Sequence, residues 1–465
     1  MRRMPDPLNA VEMLAAYRER ELSPLEVARD ALARIERDDP ELNAFCLVDG
    51  ERALADARAS EARWTRGEPA GALDGVPVAV KDLLLTRGWP TLRGSRAIDP
   101  AGPWGDDAPA VAALRRNGAV LPGKTATPEL GWKGVTDSAL GGVTRNPWDR
   151  GRTPGGSSGG SAAALAAGMV PLALGTDGGG SIRIPCGFTG LAGIKPTYGR
   201  VPAWPASPFG AVAHLGPMAR TVTDAALLLD VMAEPDARDW VALPPPTASF
   251  LDGLDDGVDG LRIAFSPELG HATVDPEVAG AVMRAVVAFA ALGATVEHVD
   301  PGFEDPRAAF DVLWSAGAAQ AVAGLGDPPP ETLDPGLVEI AALGRSHTAL
   351  DYLAAVGTRD RLAIHMSRFH EDWDLLLTPT LPLPAFEAGR EVPDGWRDPR
   401  WPSWTPFTYP FNLTQQPAAS VPCGFTAAGL PIGLQIVGPR YADAMVLRAA
   451  RAYEAAHPQP TLAPR

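Results

Sequence analysis

The sequence predicts an α/β fold: a mixed, largely parallel central sheet covered by helices on both faces. Three observations carry this. Short apolar, β-type runs recur along the chain and alternate with segments of helical periodicity, the pattern of a sheet wrapped by helices. The β-type runs are apolar throughout rather than alternating, as expected of strands covered on both sides. Hydrophobic residues make up 46% and charged residues 21% of the 465-residue chain, enough for a large core.

Taken in order, the first 66 residues read as helices. Ser23-Pro24-Leu25-Glu26 forms a capping box with proline at the first helical position. Leu25, Ala28, Leu32 and Ile35 follow at helical spacing, and 51–66 is an Ala-rich helix. Segment 1–66 is expected to pack on 67–465 as one continuous catalytic unit. Val76-Pro77-Val78-Ala79-Val80 is a β-type run ending at Lys81-Asp82. Residues 108–116 read as a helix and 119–121 as a strand. Residues 131–160 lack periodicity and are rich in Gly, Pro, Ser and Thr; so long a loop in a compact chain is usually functional. A small-residue helix (161–168), a buried strand (170–174) and a helix (223–232) follow. Pro244-Pro245-Pro246 and the Asp/Gly run to Gly260 form an exposed connector. Strand 261–265, helix 276–292 and strand 294–299 make a β-α-β unit. Helices fill 307–370, interrupted at Pro328-Pro329-Pro330. Strand-like runs return at 375–377, 418–421 and 432–437, and 442–456 closes as a helix.

The formal net charge is −15 and no Lys/Arg tract stands out, so no nucleic-acid groove is expected. Cys46, Cys186 and Cys423 are far apart with no C-x-x-C pair, which argues against a disulfide framework or a cysteine zinc site. No His/Asp/Glu cluster has metal-ligand spacing; His365 and His370 are i and i+5. Neither metal nor cofactor is expected. The start of the chain lacks an apolar signal region. The longest uncharged stretch, 153–176, is Gly/Ser-rich and broken by Pro171, a poor membrane span. The expectation is a cytoplasmic protein whose partner is a small molecule, with a homodimer allowed.

The chemistry concentrates in two loops. One is Thr153-Pro154-Gly155-Gly156-Ser157-Ser158-Gly159-Gly160-Ser161; the other is Gly175-Thr176-Asp177-Gly178-Gly179-Gly180-Ser181-Ile182-Arg183. Gly/Ser runs supply bare backbone N–H groups for a negative oxygen, next to candidate nucleophilic hydroxyls. Three chemistries compete. A phosphate-binding P-loop requires Gly-Lys-Ser/Thr after its glycines, and no Lys follows. Gly155-Gly156-Ser157-Ser158-Gly159 formally matches the nucleophile elbow G-x-S-x-G, but no strand precedes it. The third is a serine hydrolase that works without histidine. None of the seven histidines lies in the first 213 residues and none has a motif around it, which weakens a Ser-His-Asp triad. Lys81, ending its apolar run, is the alternative base.

Together these residues resemble the amidase signature family. Val78-Ala79-Val80-Lys81-Asp82, 153–161 and Gly175 to Pro185 match its hallmark stretches in order, joined by Asn146-Pro147-Trp148, Lys195 to Val201 and Gly429 to Gly438. The resemblance spans about residues 10–456. It implies a Ser-cis-Ser-Lys triad, with Ser181 as nucleophile, Ser157 as the bridging serine in a cis peptide bond and Lys81 as base. It implies an oxyanion hole from the N–H groups of Gly178, Gly179, Gly180 and Ser181, with Ser158, Asp177 and Arg183 in support. Half-neutrality of Lys81 at pH 7 needs a pKa shift of about 3.4 units, roughly 4.6 kcal/mol. Full burial can supply that.

Trp396, Trp401, Trp404, Phe407, Tyr409 and Phe411 gather near the acyl pocket in the resemblance, suggesting aryl or extended apolar amides. Gly131, Trp132 and Phe209 are further candidates for that pocket. Gln415 and Gln416 stand where many family members carry Gly, so a long amide side chain is expected to narrow the pocket or bind substrate. The leading function is a stand-alone amide hydrolase, with carbamates and esters as further substrates. The alternatives are the A subunit of a tRNA-dependent amidotransferase, an α/β-hydrolase-type esterase and a catalytically silent binding protein. Gly178 and Ile184-Pro185-Cys186 differ from the Thr and Gln-Pro-Ala expected of the amidotransferase component.

Overall fold

A computed structural model describes residues 7–464. Helix α1 (Ala10–Arg18) starts at a capping box formed by Asn9 and Glu12. Helix α2 (Pro24–Leu42) starts at the one read from the sequence: Ser23 Oγ accepts from Glu26 N, and Glu26 accepts from Ser23 N. Strand β1 (Phe45–Val48) separates α2 from α3 (Gly50–Arg66). The helical reading of the first 66 residues overlooked it, because a four-residue apolar run between two helices carries no period of its own.

The core then alternates. It runs β2 (Val78–Lys81), α4 (Pro109–Arg116), β3 (Gly123–Thr125), a small hairpin of β4 (Asp137–Ser138) and β5 (Gly142–Val143), and α5 (Gly159–Ala166). Next come β6 (Leu172–Asp177), α6 (Arg183–Thr189), β7 (Ala192–Lys195), β8 (His214–Ala219) and α7 (Val222–Met232). The second half holds β9 (Arg262–Phe265), α8 (Pro276–Ala291) and β10 (Thr295–His298), the β-α-β unit, with β9 and β10 parallel. Helices α9 (Arg307–Ala323), α10 (Pro335–Ser346) and α11 (Ala349–Asp372) precede β11 (Leu375–Pro379). A short α12 (Tyr409–Leu413), the hairpin β12 (Ala418–Phe425) and β13 (Pro431–Val437), and α13 (Asp443–Ala456) close the chain. The run 119–121 precedes its strand instead of forming it: Val120 makes only an isolated bridge to Pro77.

Eleven of these strands form one mixed sheet, in the order β1-β3-β2-β6-β8-β7-β12-β13-β11-β9-β10. Pairing is parallel in two blocks, β3-β2-β6 and β11-β9-β10, and antiparallel through the middle. Side chains alternate between faces along each strand. Val78 and Val80, Leu172 and Leu174, and Leu375 and Leu377 enter a core roofed by α4, α7, α8 and α13. On the other face Ala79 and Ala173 pack against α5, and Leu376 packs against α9 to α12. Both faces are therefore covered, which explains why the strands read as continuous apolar runs. Among the described residues no helix is long and apolar enough to cross a membrane.

Candidate active site

Strands β2 and β6 are adjacent and parallel, with Val80 opposite Leu174. Their C-terminal ends open on a cleft of about 670 Å³ lined by Ser157, Thr176, Gly178 and Ser181. In α/β sheets this is where ligands bind.

Lys81 ends β2 and is fully buried. Its Nζ lies 2.7 Å from Ser157 Oγ, 2.9 Å from Ser158 Oγ and 2.8 Å from Thr176 Oγ1. Among the described residues no carboxylate forms an ion pair with it. Burial therefore pushes its pKa well below the ordinary lysine range, and the charge of Asp177 only partly opposes this. A neutral amine has two N–H donors and one lone pair. Ser158 directs its hydroxyl proton to Thr176 O and accepts from Thr176 N, both at 3.2 Å, so it can only accept from Lys81. With Thr176 taking the second N–H, the lone pair is left for the Ser157 hydroxyl proton. That is the geometry of a general base.

Ser157 is held by packing of its loop. The Gly156–Ser157 peptide bond is cis. A Cβ on Gly156 would lie 2.5 Å from the Val135 backbone, so only glycine permits this approach. Ser158 N donates to Ser181 O at 3.2 Å, tying the two Gly/Ser loops together. Ser157 and Ser181 keep 2% and 4% of their surfaces exposed, both on the cleft wall.

Asp177 and Arg183 form a buried bidentate pair: Arg183 Nε to Oδ2 at 3.0 Å and Nη2 to Oδ1 at 2.9 Å. Asn412 Nδ2 adds a bond to Oδ1 at 2.8 Å, and Arg183 Nη1 reaches Thr408 O and Gln435 Oε1. Burial alone would raise the Asp177 pKa, but the charge and hydrogen bonds of Arg183 outweigh it and hold the carboxyl well below the usual range. Asp177 also shapes the loop, since Oδ1 accepts Gly180 N at 2.7 Å and Oδ2 accepts Ile182 N at 3.2 Å. This corrects the expected oxyanion set. The Gly180 N–H is already bonded to Asp177, whereas those of Gly178, Gly179 and Ser181 have no partner among the described residues.

Two of the expected substrate residues, Gly131 and Phe209, line the cleft. A Cβ on Gly131 would lie 3.4 Å from Ser157 Oγ. The other four do not line it. Trp132 is fully buried and accepts from Trp314 Nε1 through its carbonyl at 3.0 Å. Phe407 is buried in the core, its carbonyl accepting from Gln435 Nε2 at 2.8 Å. Gln415 donates to Ala211 O at 3.1 Å and Gln416 to Gly438 O at 2.9 Å, so both amides tie loops together behind the cleft. The aromatic segment is likewise internal: Trp401, Trp404, Tyr409 and Phe411 join the same buried cluster. Trp401 and Phe310 stand where a Cβ on Gly179 would fall, so these rings back the glycine loop from behind.

The aromatic surface of the cleft comes from elsewhere. Phe209 stacks on Trp314 of α9 with centroids 4.1 Å apart, and Tyr198, Trp204 and Trp240 also line the cleft. Trp240 is 91% exposed. Thr176 was legible as the neighbour of Asp177 in its motif; Trp314, Trp204 and Trp240 carried no local signal. His214 also lines the cleft. Its Nδ1 is 2.8 Å from Val212 O, and its pKa is pushed well below the ordinary value by burial first and by Lys195 second. It is neutral, and no bond links it to either serine. Among the described residues no group of three His, Cys, Asp or Glu could hold a metal ion.

Comparison with known proteins gives the family. A family model described as Amidase matches residues 26–447. The chain is 40% identical to the A subunit of the glutamyl-tRNA(Gln) amidotransferase of Myxococcus xanthus (strain DK1622), over 97% of each chain. It is 38% identical to an acylamidase of Rhodococcus erythropolis, over 97% of this chain and 96% of that protein. The structure of a bacterial aryl acylamidase of the amidase signature enzymes superposes with a TM-score of 0.90 at 33% identity, covering 98% of this chain and 97% of the other. The chain belongs to the amidase signature family and is an enzyme of amide carbon–nitrogen bonds.

Proposed function

We propose that this chain is a stand-alone amide hydrolase that forms an acyl-enzyme on Ser181. The observation that carries the reading is Lys81: buried, without a paired carboxylate and bonded to three hydroxyl oxygens. In the first step Lys81 Nζ takes the Ser157 proton as Ser157 takes that of Ser181, and Ser181 Oγ bonds to the amide carbon. Charge develops on the carbonyl oxygen, for which the free N–H groups of Gly178, Gly179 and Ser181 are the donors; losing one such donor typically costs about 2.7–4 kcal/mol. The carbon–nitrogen bond then breaks, and the proton held on Lys81 returns through Ser157 to the leaving amine. Water, deprotonated by the same route, cleaves the ester and regenerates Ser181.

The substrate class follows from the cleft. Its walls hold Leu83, Leu130, Tyr198, Trp204, Phe209 and Trp314, an apolar and aromatic surface suited to aryl or extended apolar amides. Aryl esters and carbamates present the same carbonyl to the same donors and are expected as secondary substrates.

A second reading, the A subunit of a tRNA-dependent amidotransferase, is favoured by the Myxococcus relative. Gly178 speaks against it. A Cβ there would lie 2.8 Å from the Trp314 ring, so the threonine expected of the amidotransferase component does not fit beside this tryptophan. The test is hydrolysis by the purified chain of an acetanilide, a benzamide, a phenylcarbamate and an aryl ester, with Lys81→Ala and Ser181→Ala alongside. Amide cleavage lost in both variants supports the relay. Full amidase activity in Lys81→Ala refutes it. Inertness of the wild type on the whole panel, with glutaminase activity only on addition of partner proteins, would turn the reading to the amidotransferase.

A further inference from the structure

We infer that Arg93 is a carboxylate-recognition residue of the catalytic cleft, and that the preferred substrates are amides carrying one negative charge. The inference rests on the amide-hydrolase reading and adds to it a substrate class. Two cationic side chains, Arg93 and Arg238, line the cleft alongside Ser157 and Ser181. Arg238 is fully engaged: Nε and Nη2 bond to Asp236 at 2.9 and 2.7 Å, and the guanidinium stacks on Trp204 at 4.6 Å. The Arg93 guanidinium has no hydrogen-bond or ion-pair partner among the described residues, although the residue is half-buried. Burial lowers its pKa, with Asp82 opposing. Asp82 acts on it only through space and forms no ion pair with it: Oδ1 holds Lys124 at 2.7 Å and Oδ2 accepts the Arg93 N–H at 2.8 Å.

The backbone is built to present this side chain. Arg93 sits at φ 53°, in the left-handed region that favours glycine, yet it carries a long side chain. Its N–H is fixed by Asp82, the neighbour of Lys81, and its carbonyl accepts Leu130 N at 2.7 Å. Leu130 leads into Gly131, which abuts Ser157. The backbone that carries the guanidinium is thus anchored from both sides to the segments that carry the reacting groups. The other titratable groups of the cleft add no free positive charge. Burial pushes the pKa values of His214, in the cleft, and of Lys81, bonded to Ser157, well below their ordinary ranges, and Asp239 has its oxygens on the N–H groups of Ala203 and Val241 at 2.8 and 3.0 Å. One planar two-pronged cation in an apolar cleft matches one carboxylate and not a dianion.

The test measures kcat/KM within matched pairs. N-phenylsuccinamate, with its carboxylate on the acyl part, is compared with its neutral carboxamide, and 4-acetamidobenzoate, with its carboxylate on the amine part, with its own carboxamide. Wild type is expected to prefer the carboxylate in one pair by about 10- to 100-fold, mainly through KM, and less at high salt. In Arg93→Met that ratio falls to near one, and in Arg93→Lys it is intermediate. The ratio is read within each variant, so a change in overall rate does not enter it. Parity in wild type for both pairs, or an unchanged ratio in Arg93→Met, overturns the inference. Should the chain hydrolyse no amide, calorimetric binding of the same pairs to Ser181→Ala, with and without Arg93→Met, decides the recognition separately from the chemistry. Equal affinity for carboxylate and carboxamide there also overturns it.

Discussion

Two buried ionic sites lie side by side at the ends of β2 and β6, and they are built on opposite rules. Asp177 and Arg183 are both fully buried and fully matched: two salt-bridging bonds to each other, with Asn412, Gln435 and backbone groups taking what remains. Lys81 is just as buried, and its hydrogen-bond partners among the described residues are three hydroxyl groups. Lys124, on the strand beside Lys81, shows that this was not forced by position. It is buried too, but it pairs with Asp82 at 2.7 Å. Paired with Arg183, Asp177 is held below the usual carboxylate range and fixes its loop through the N–H groups of Gly180 and Ile182. Lys81, the unmatched one, has its pKa pushed well below the ordinary lysine range, as the proposed role of base requires. Reactivity here is marked by the counter-ion that is missing.

The sharpest way to break this comparison is to remove each site in turn. Ser181→Ala and Lys81→Met are expected to lower kcat/KM for an anilide by about 10⁴- to 10⁶-fold. Lys81→Met should at the same time melt no lower than wild type. Since the folded pKa of Lys81 lies below the unfolded one, the unfolded chain binds the extra proton between the two values, and stability rises with pH across that window. Below the unfolded pKa the buried lysine is therefore a cost to folding that methionine removes. A large drop in melting temperature would show that Lys81 is a structural cation after all. Arg183→Met should do the reverse. It strands the Asp177 carboxylate, so urea unfolding should show a loss of about 3–5 kcal/mol, with activity falling only because the loop is lost. Wild-type stability in Arg183→Met would remove the distinction between the two sites.

The sites were legible in the sequence to different degrees, for physical reasons. Lys81, Ser157 and Ser181 each sit in a short contiguous stretch, an apolar strand end for Lys81 and, for the two serines, glycine runs dictated by close backbone approach, as at Gly156 against Val135, so local sequence carries the signal. The cleft wall does not work that way. Trp314 is one apolar position on α9, indistinguishable by spacing from its neighbours that face the core. Arg93 and Trp240 lie in loops whose positions depend on contacts far along the chain. The six aromatics of 396–411 misled for the opposite reason. A dense local cluster of rings is what a core needs as much as what a pocket needs, and five of them are buried. In the sheet, β7 and β8 escaped because Gly193, Gly216 and Pro217 interrupt any apolar run.

Asp224 tests the comparison between its extremes. It is buried, its oxygens accept Ala10 N and Val11 N at 2.8 and 3.1 Å at the start of α1, and Arg220 lies near without a bidentate pair. Burial wins and pushes its pKa up to about 6. Here the folded state binds the extra proton, so this group's contribution to stability falls as pH rises from near 4 to about 6 and is flat above. Asp224→Asn should remove a decline of about 2 kcal/mol over that window, read by denaturant titration at pH 4, 5, 6 and 7. A steeper decline in the variant would show that Asp224 belongs with the matched sites.

The smallest effect reports most directly on Lys81. Thr176→Val keeps the shape of the side chain and removes one of the three oxygens around Nζ. Both protonation states of Lys81 donate to that oxygen, but the ammonium binds it more strongly than the amine does. Losing it therefore favours the neutral form and lowers the lysine pKa further. In the proposed relay only neutral Lys81 accepts the proton, so the acid limb of the kcat/KM profile should move to lower pH. A less basic and less firmly held amine is also a poorer proton acceptor, so the plateau should drop by about tenfold. Thr176→Ser should restore both features. A limb that moves to higher pH, or a lower plateau with the limb unmoved, would place the titrating group elsewhere and leave Lys81 with no more catalytic standing than Lys124.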